Sequence, residues 1–355
     1  MHFSRTGFAA AAGAVLATIG MSMISPATTF QDDNEIIGAG SSFDYPLFTK
    51  LFAEYDKAKS VKVNYQSVGS GAGISQLTNK TVDFGATDAP MNGKQDSALS
   101  APAIHIPVTA GAVVLSYNLP DVKGALQLSP GVLADIFLGN ITTWNDSKIA
   151  AINKGVSLPS TGIVIAHRAD GSGTTNIFTT YLSKVSDQWN TKVGKGSAVS
   201  WPVGLGAKGN EGVAGMIKTT PGAIGYVELA YAIQNSMPYA KMQNKAGKWI
   251  EPTIASITAA ANITIPADSK VSLTNTDAAD GYPISGFSWV AVYKEQNYGG
   301  RSKARAANLA KLISWMIHDG QQYSSSLNYA PLSPAAVKVG DALLRSITYD
   351  GKPLL

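Results

Sequence analysis

The sequence predicts an α/β protein with mostly parallel sheets. Two observations carry this. Short apolar or alternating runs of strand length recur between stretches with helical spacing. At three junctions the chain passes from strand to helix through a Gly/Ser turn, the connection expected where parallel strands are covered by helices. The first is "EIIGAGSSFDYPLFTKLFAEY": Ile36-Ile37 end a strand, a Gly/Ser turn follows, and Pro46 stands near the start of a helix with Leu47, Phe48, Leu51, Phe52 and Tyr55 on one face. The second is "VKVNYQSVGSGAGISQL". Val61, Val63 and Tyr65 alternate as a half-buried strand, and Gly69 to Gly73 turn into a helix carrying Ile74 and Leu77. In "TVDFGATDAPM" Val82 and Phe84 alternate into a turn ending at Asp88-Ala89-Pro90.

"SPGVLADIFLG" has every helix signal: Ser129 as N-cap, Pro130 at the first position, Val132, Leu133, Ile136 and Phe137 inward, Gly139 as stop. The third junction is "RADGSGTTNIF". A buried strand, Ile163-Val164-Ile165, precedes it, and Ile177, Phe178, Tyr181, Leu182 and Val185 follow at helical spacing. "GLGAKG", Gly204 to Gly209, fits the dinucleotide-binding pattern but follows Trp201-Pro202, poor context for a central strand, with no clear acidic residue expected to close a second strand about 20 residues on. Residues 241–280 are polar and alanine-rich, with no legible element. Leu309, Leu312, Ile313, Met316 and Ile317 form a last amphipathic helix, with Gly320 as its stop.

A chain of 355 residues is long enough for two domains, and 45% hydrophobic with 15% charged residues describes a folded protein. Residues 1–27 read as a secretory signal: Arg5, an apolar run from about Phe8 to Ile24, then Ser25-Pro26-Ala27 as a small-x-small cleavage site. The competing reading is a retained membrane anchor; Thr18, Gly20 and Ser22 dilute the run. Cysteine is absent, which excludes thiol nucleophiles, thiolate metal sites and a lipid-modified cysteine after the signal. The expected mature chain is therefore free in solution outside the cytoplasm. A formal charge of +4, one unit of it from Arg5, with no basic run, is no nucleic-acid signature.

Chemistry concentrates in "RADGSGTTNIF", where one arginine, one aspartate and three hydroxyl residues stand at the start of a helix. The free N–H groups and positive dipole end of a helix, with glycines that admit close approach, make an anion site. Arg168 adds a planar fork suited to oxyanions. The alternative reading is a capped helix start with a structural Arg–Asp pair. Asp88 alone reads as a turn-former before proline. A serine hydrolase or phosphatase using Ser70 or Ser172 would need a base. His167 should point to the face opposite Arg168, His105 reads as a strand residue, and His318 as a cation near a helix end. No catalytic residue, cofactor or metal is assigned.

Seven runs in order complete the pattern: "GAGSSFDYPLF", "VNYQSVGSGAGISQL", "VDFGATDAPM", "LADIFLGNITTWND", "RADGSGTTNIFTTYL", "WPVGLGAKGNEGV" and "PGAIGYVELAYA". On these the chain resembles the PstS family, the periplasmic phosphate-binding proteins of phosphate ABC transporters, and most weakly over 241–280. The resemblance implies a type II periplasmic binding protein: two α/β lobes closing on one dehydrated phosphate. Lobe I would comprise 28–112 plus 283–355 and lobe II 113–282, with crossings near Ala110–Tyr117 and Tyr282–Ser288. It implies phosphate ligands in Ser42, the Phe43 N–H, Ser70 and Asp88 from one lobe. From the other it implies Arg168, Ser172, the Gly173 N–H and Thr174, with Asp170 orienting Arg168. Ser42 departs from the family's frequent threonine but keeps the hydroxyl. Partners would be inorganic phosphate and a membrane permease, the protein itself a monomer in the periplasm. Phosphate keeps at least one proton at neutral pH and sulfate none, so Asp88 would accept the phosphate O–H and reject sulfate. Sulfate or molybdate would be the competing ligands.

Overall fold

β1 (Glu35–Gly40) turns at Ser41 to Asp44 into α1 (Tyr45–Lys59), which buries Leu47, Phe48, Leu51, Phe52 and Tyr55 along one face with Pro46 in its first turn. The computed structural model describes residues 1–2 and 32–355; the expected signal segment, 1–27, lies almost wholly outside the described residues. Asp32–Leu355 form one compact unit. β2 (Lys62–Ser67) and α2 (Ser70–Thr78) repeat the first unit. Between them Gly69 adopts φ +90°, a conformation L side chains rarely adopt, and any side chain there would meet the Asp170 carboxylate. β3 (Phe84–Thr87) and α3 (Gly93–Ala98) lead to the long β4 (Ala103–Tyr117).

β5 (Gln127–Leu128), α4 (Pro130–Phe137) and α5 (Ser147–Ile152) precede β6 (Val164–Arg168), α6 (Gly173–Val185) and α7 (Asp187–Lys192). β7 (Leu205–Ala207), α8 (Gly209–Thr219), β8 (Ala223–Glu228) and α9 (Leu229–Gln234) follow. The stretch without a legible element, 241–280, builds β9 (Lys241–Gln243), β10 (Trp249–Ile250) and α10 (Ile254–Ala261). Its loops are tied down by Asn244, whose Nδ2 donates to the carbonyls of Ala279 at 2.9 Å and Gly281 at 3.3 Å. β11 (Ser285–Tyr293), α11 (Lys303–Ile317), α12 (Pro334–Arg345), β12 (Thr348–Tyr349) and β13 (Lys352–Pro353) complete the chain.

Eight strands form one sheet in the order β2-β1-β3-β11-β4-β8-β6-β7. Its flanks are parallel: β1 pairs with β2 and β3, and β6 with β7 and β8. Its centre is antiparallel. Ala103 to Ala112 of β4 pair with β11, and Val113 to Tyr117 of the same strand pair with β8. Both central strands are buried almost throughout, which explains their continuous apolar runs. Arg305 of α11 ties the late chain to the early one. Its Nε and Nη2 reach Asp83 Oδ1 and Oδ2 at 3.0 and 2.6 Å, and Asp83 also accepts the Ile37 N–H at 2.7 Å. Among the described residues no helix is long and apolar enough to cross a membrane.

Several local expectations shift: β2 begins at Lys62, just after Val61, and α2 begins at Ser70, inside the Gly69–Gly73 run expected as a turn. β6, the strand before the third junction, begins at Val164, since the Ile163 N–H bonds the Thr142 carbonyl at 2.8 Å, outside the sheet. Val82 is buried but precedes β3. The last amphipathic helix ends at Ile317, two residues before a Gly320 stop would apply, because His318 leaves the helical region at φ −119°, ψ −99°. Gly139 does stop α4, at φ +75°. Ser129 caps that helix through the Val132 N–H at a long 3.5 Å. Ser129→Ala is therefore expected to cost only about 0.5–1 kcal/mol in chemical denaturation.

Candidate functional site

The Gly/Ser turns and the start of α6 converge on one buried place. Ser42, Phe43, Ser70, Asp88, Arg168, Ser172 and Thr174 are each no more than 3% exposed. The third turn does what both readings of it required. Ser172 Oγ caps α6 by accepting the Thr175 N–H at 3.0 Å. Arg168 forks onto Asp170, Nε to Oδ1 at 2.7 Å and Nη2 to Oδ2 at 2.5 Å. Its Nη1 is left to face Thr174 Oγ1 at 3.4 Å. The fork aims the one remaining edge of the guanidinium along the helix start. Burial works to raise the Asp170 pKa, but the Arg168 hydrogen bonds and charge, with the Gly209 N–H, hold it below the usual carboxylate range.

The other turns meet this one directly. Ser70 Oγ accepts the Gly173 N–H at 3.1 Å, and the Gly71 N–H donates to the Gly171 carbonyl at 2.9 Å. A methyl group on Gly173 would stand 2.6 Å from the Asp88 backbone nitrogen, so only glycine lets α6 approach this closely. Asp88 accepts from Ser41 Oγ at 2.6 Å and from Ser288 Oγ at 2.8 Å. Burial pushes its pKa up to about 6, against the hydrogen bonds of Ser41, Ser288 and Ser70 and the charge of Arg168. A cavity of about 370 Å³ opens beside Asp88, with Lys195 and Lys270 in its lining.

Two residues of the first turn have divided roles. Ser42 Oγ accepts from the Asn210 N–H and Nδ2, both at 3.0 Å, and Asn210 Nδ2 also donates to Thr174 Oγ1 at 3.1 Å. Ser41, which sequence reasoning passed over, takes the Phe43 N–H at 2.9 Å and makes the contact to Asp88. Asn210 was missed as well, though its signal was present. Contrary to expectation, an acidic residue does close a second strand, Glu228 at the end of β8, about 20 residues after Gly209. But the strand β7 lies inside "GLGAKGN" instead of before it, so the run is a fourth strand–Gly–helix unit and no dinucleotide fingerprint. Gly209 turns at φ +71°, and its N–H bonds Asp170 Oδ1 at 3.1 Å. Asn210 then sits in the first turn of α8. Ser288 and Asp44 had no local signal.

The histidines lie elsewhere. His167 stacks on Trp201 with ring centroids 4.7 Å apart. His318 bonds Asp341 at 2.9 Å. His105 accepts the Met91 N–H at 3.2 Å, and burial pushes its pKa down to about 3. Among the described residues no histidine hydrogen-bonds Ser70 or Ser172, and no group of three or more acidic or histidine side chains is placed to hold a metal. The arrangement offers hydroxyls, backbone N–H groups, one guanidinium and the Asp88 carboxyl group as an acceptor in a buried place, which suits a small oxyanion carrying a proton.

Comparison with known proteins gives the chain relatives. A family model described as a PBP superfamily domain matches residues 25–319. The chain is 42% identical over 323 residues to a phosphate-binding protein PstS of Xylella fastidiosa (strain 9a5c), covering 90% of this chain and 87% of the relative. Among solved structures it is similar to a high-affinity periplasmic phosphate-binding protein, PfluDING, bound with phosphate. The TM-score is 0.69 at 19% identity, over 87% of this chain and 93% of the other. It is also similar to a phosphate ABC transporter substrate-binding protein from Clostridium perfringens with bound phosphate. There the TM-score is 0.62 at 15% identity, over 84% of this chain and 100% of the other. At these identities the solved structures bear on the fold alone.

Proposed function

The chain belongs to the PstS phosphate-binding proteins of the PBP superfamily, and from that premise we propose that it captures inorganic phosphate outside the cytoplasm and hands it to an ABC-transporter permease. It is a solute-binding protein with a type II periplasmic binding fold. The observation that supports the ligand is the buried meeting of Arg168, the α6 N-terminus, Ser42, Ser70 and Asp88. In this reading Arg168 supplies the full positive charge, held in place by Asp170. Ser42, Ser70, Ser172 and Thr174 donate through hydroxyls, and Phe43 and Gly173 through N–H groups. Asp88 accepts the phosphate proton. Several of these groups bond one another, so binding exchanges those hydrogen bonds for bonds to phosphate. The reading entails stoichiometric binding without turnover by a monomer that works in the periplasm after removal of residues 1–27. One titration panel with phosphate, arsenate, sulfate and molybdate tests it; equal affinity for sulfate and phosphate would overturn it.

The proposed lobes are 28–112 with 283–355, and 113–282. The switch of β4 partners between Ala112 and Val113 supports this division, as does the anchoring of Arg305 on Asp83. The proposed ligands then come from both lobes, and phosphate favours the closed form only through contacts it makes better there. Saturating phosphate is expected to compact the protein in solution scattering. At a hundred times Kd it should stabilise the fold by about 2.7 kcal/mol, read as a raised Tm. An unchanged scattering profile would count against the clamp.

A further inference from the structure

Asp44 stands at the N-cap position of α1, where a carboxylate ordinarily takes helix N–H groups, yet its side chain makes no cap hydrogen bond. It turns inward to Ser288 of β11, and both are fully buried. Ser288 Oγ lies between two carboxyl groups. It is hydrogen-bonded to Asp44 Oδ2 and, at 2.8 Å, to Asp88 Oδ1, with the Thr87 carbonyl at 3.3 Å. A hydroxyl has one proton to give. With carboxyl oxygens on both sides, one of the two hydrogen bonds has to be donated by a carboxylic acid. The surroundings decide which. Asp88 takes a second hydrogen bond from Ser41 and faces the charge of Arg168. Asp44 Oδ1 is buried with no partner, as a neutral acid can better tolerate than an ion.

We propose that Asp44 is held as the protonated acid and donates through Ser288 to Asp88, which makes it a positioning residue for anion selectivity. The proposal rests on the phosphate-binding reading of the cleft. Its function follows from charge. Asp44, Asp88 and Glu228 of β8 are all buried near the same anion site, and three ionised carboxylates there would repel any oxyanion. Around them, the charge of Arg168 of β6 acts on Asp88, and Tyr329 before α12 donates to Glu228 at 3.1 Å. Tyr65 of β2 and Tyr231 of α9 stand close enough for the carboxylates to add to burial in raising the pKa of these two tyrosines. Burial, and then the Asp88 charge, raise the Asp44 pKa well above the usual carboxylate range. Burial likewise raises Glu228, whose Oε1 has no partner. One ionised acceptor remains, backed by Arg168, to match one phosphate proton.

Infrared difference spectra at pH 7 between the parent and Asp44→Asn test the proton directly. The parent is expected to show a protonated-carboxyl carbonyl band that the variant lacks. The asparagine NH₂ still donates to Ser288, so sulfate should stay excluded. Ser288→Ala removes a donor from the Asp88 carboxylate and should raise the pH at which phosphate–sulfate discrimination collapses by about one unit. No band lost in Asp44→Asn, or a Ser288→Ala profile superimposable on the parent, overturns the relay. If phosphate binds none of these proteins, the reading of the cleft falls while the band still reports the Asp44 proton.

Discussion

Arg168→Ala is expected to weaken phosphate binding by roughly two to four orders of magnitude, and arsenate in parallel. The magnitude comes from removing one partner of a buried charge arrangement, a loss of about 3–5 kcal/mol, at about 1.4 kcal/mol per tenfold. Arg168 is 3% exposed, and its fork is shared between Asp170 and the helix start. The truncation therefore deletes the positive charge and also leaves the Asp170 carboxylate, whose remaining support includes the Gly209 N–H, as an extra negative charge beside the ligand. Arg168→Lys should recover little, because a lysine cannot hold Asp170 with two parallel bonds and still present an edge to the anion. Isothermal titration checks both. A variant that binds phosphate within tenfold of the parent would move the anion site away from α6.

Asp88→Asn should act on discrimination and much less on phosphate affinity. An asparagine carbonyl can still accept the ligand's proton, and its NH₂ can rotate to donate to a sulfate oxygen, which a carboxylate cannot do. Like-charge juxtaposition in a desolvated cleft costs several kcal/mol, so sulfate affinity is expected to rise roughly a hundredfold or more. The parent should show the same weakness in acid. Burial raises the Asp88 pKa to about 6, so the group is mostly ionised at pH 7.5 and mostly protonated at pH 5. Below about pH 6 its own O–H becomes a donor, and sulfate binding should appear as the pH falls. In Asp88→Asn that pH dependence should vanish. Sulfate exclusion that is as strict in Asp88→Asn as in the parent would make Asp88 a turn residue only.

The parts of this protein that were legible in sequence are those built from near neighbours. Leu47 to Tyr55, the cap and stop of α4, and the three strand–Gly/Ser–helix turns follow from periodicity and from the backbone freedom of glycine, which act within a few residues. The Arg168–Asp170 pair lies two residues apart and was legible for the same reason. In residues 241–280, β9 draws its order from β5, more than a hundred residues back, and a loop is pinned by Asn244, so neither was legible; the Thr253–Ser256 capping box of α10 is a local signal that was overlooked. The antiparallel centre of the sheet also escaped, since a buried strand reads alike whichever way its neighbour runs. Tertiary structure alone decided the inner layer of the site. Ser288 reaches Asp44 and Asp88 across 244 and 200 residues of chain, and Asn210 reaches Ser42 across 168. A buried polar group must find its partner wherever folding brings one, and no local pattern records which residue that will be.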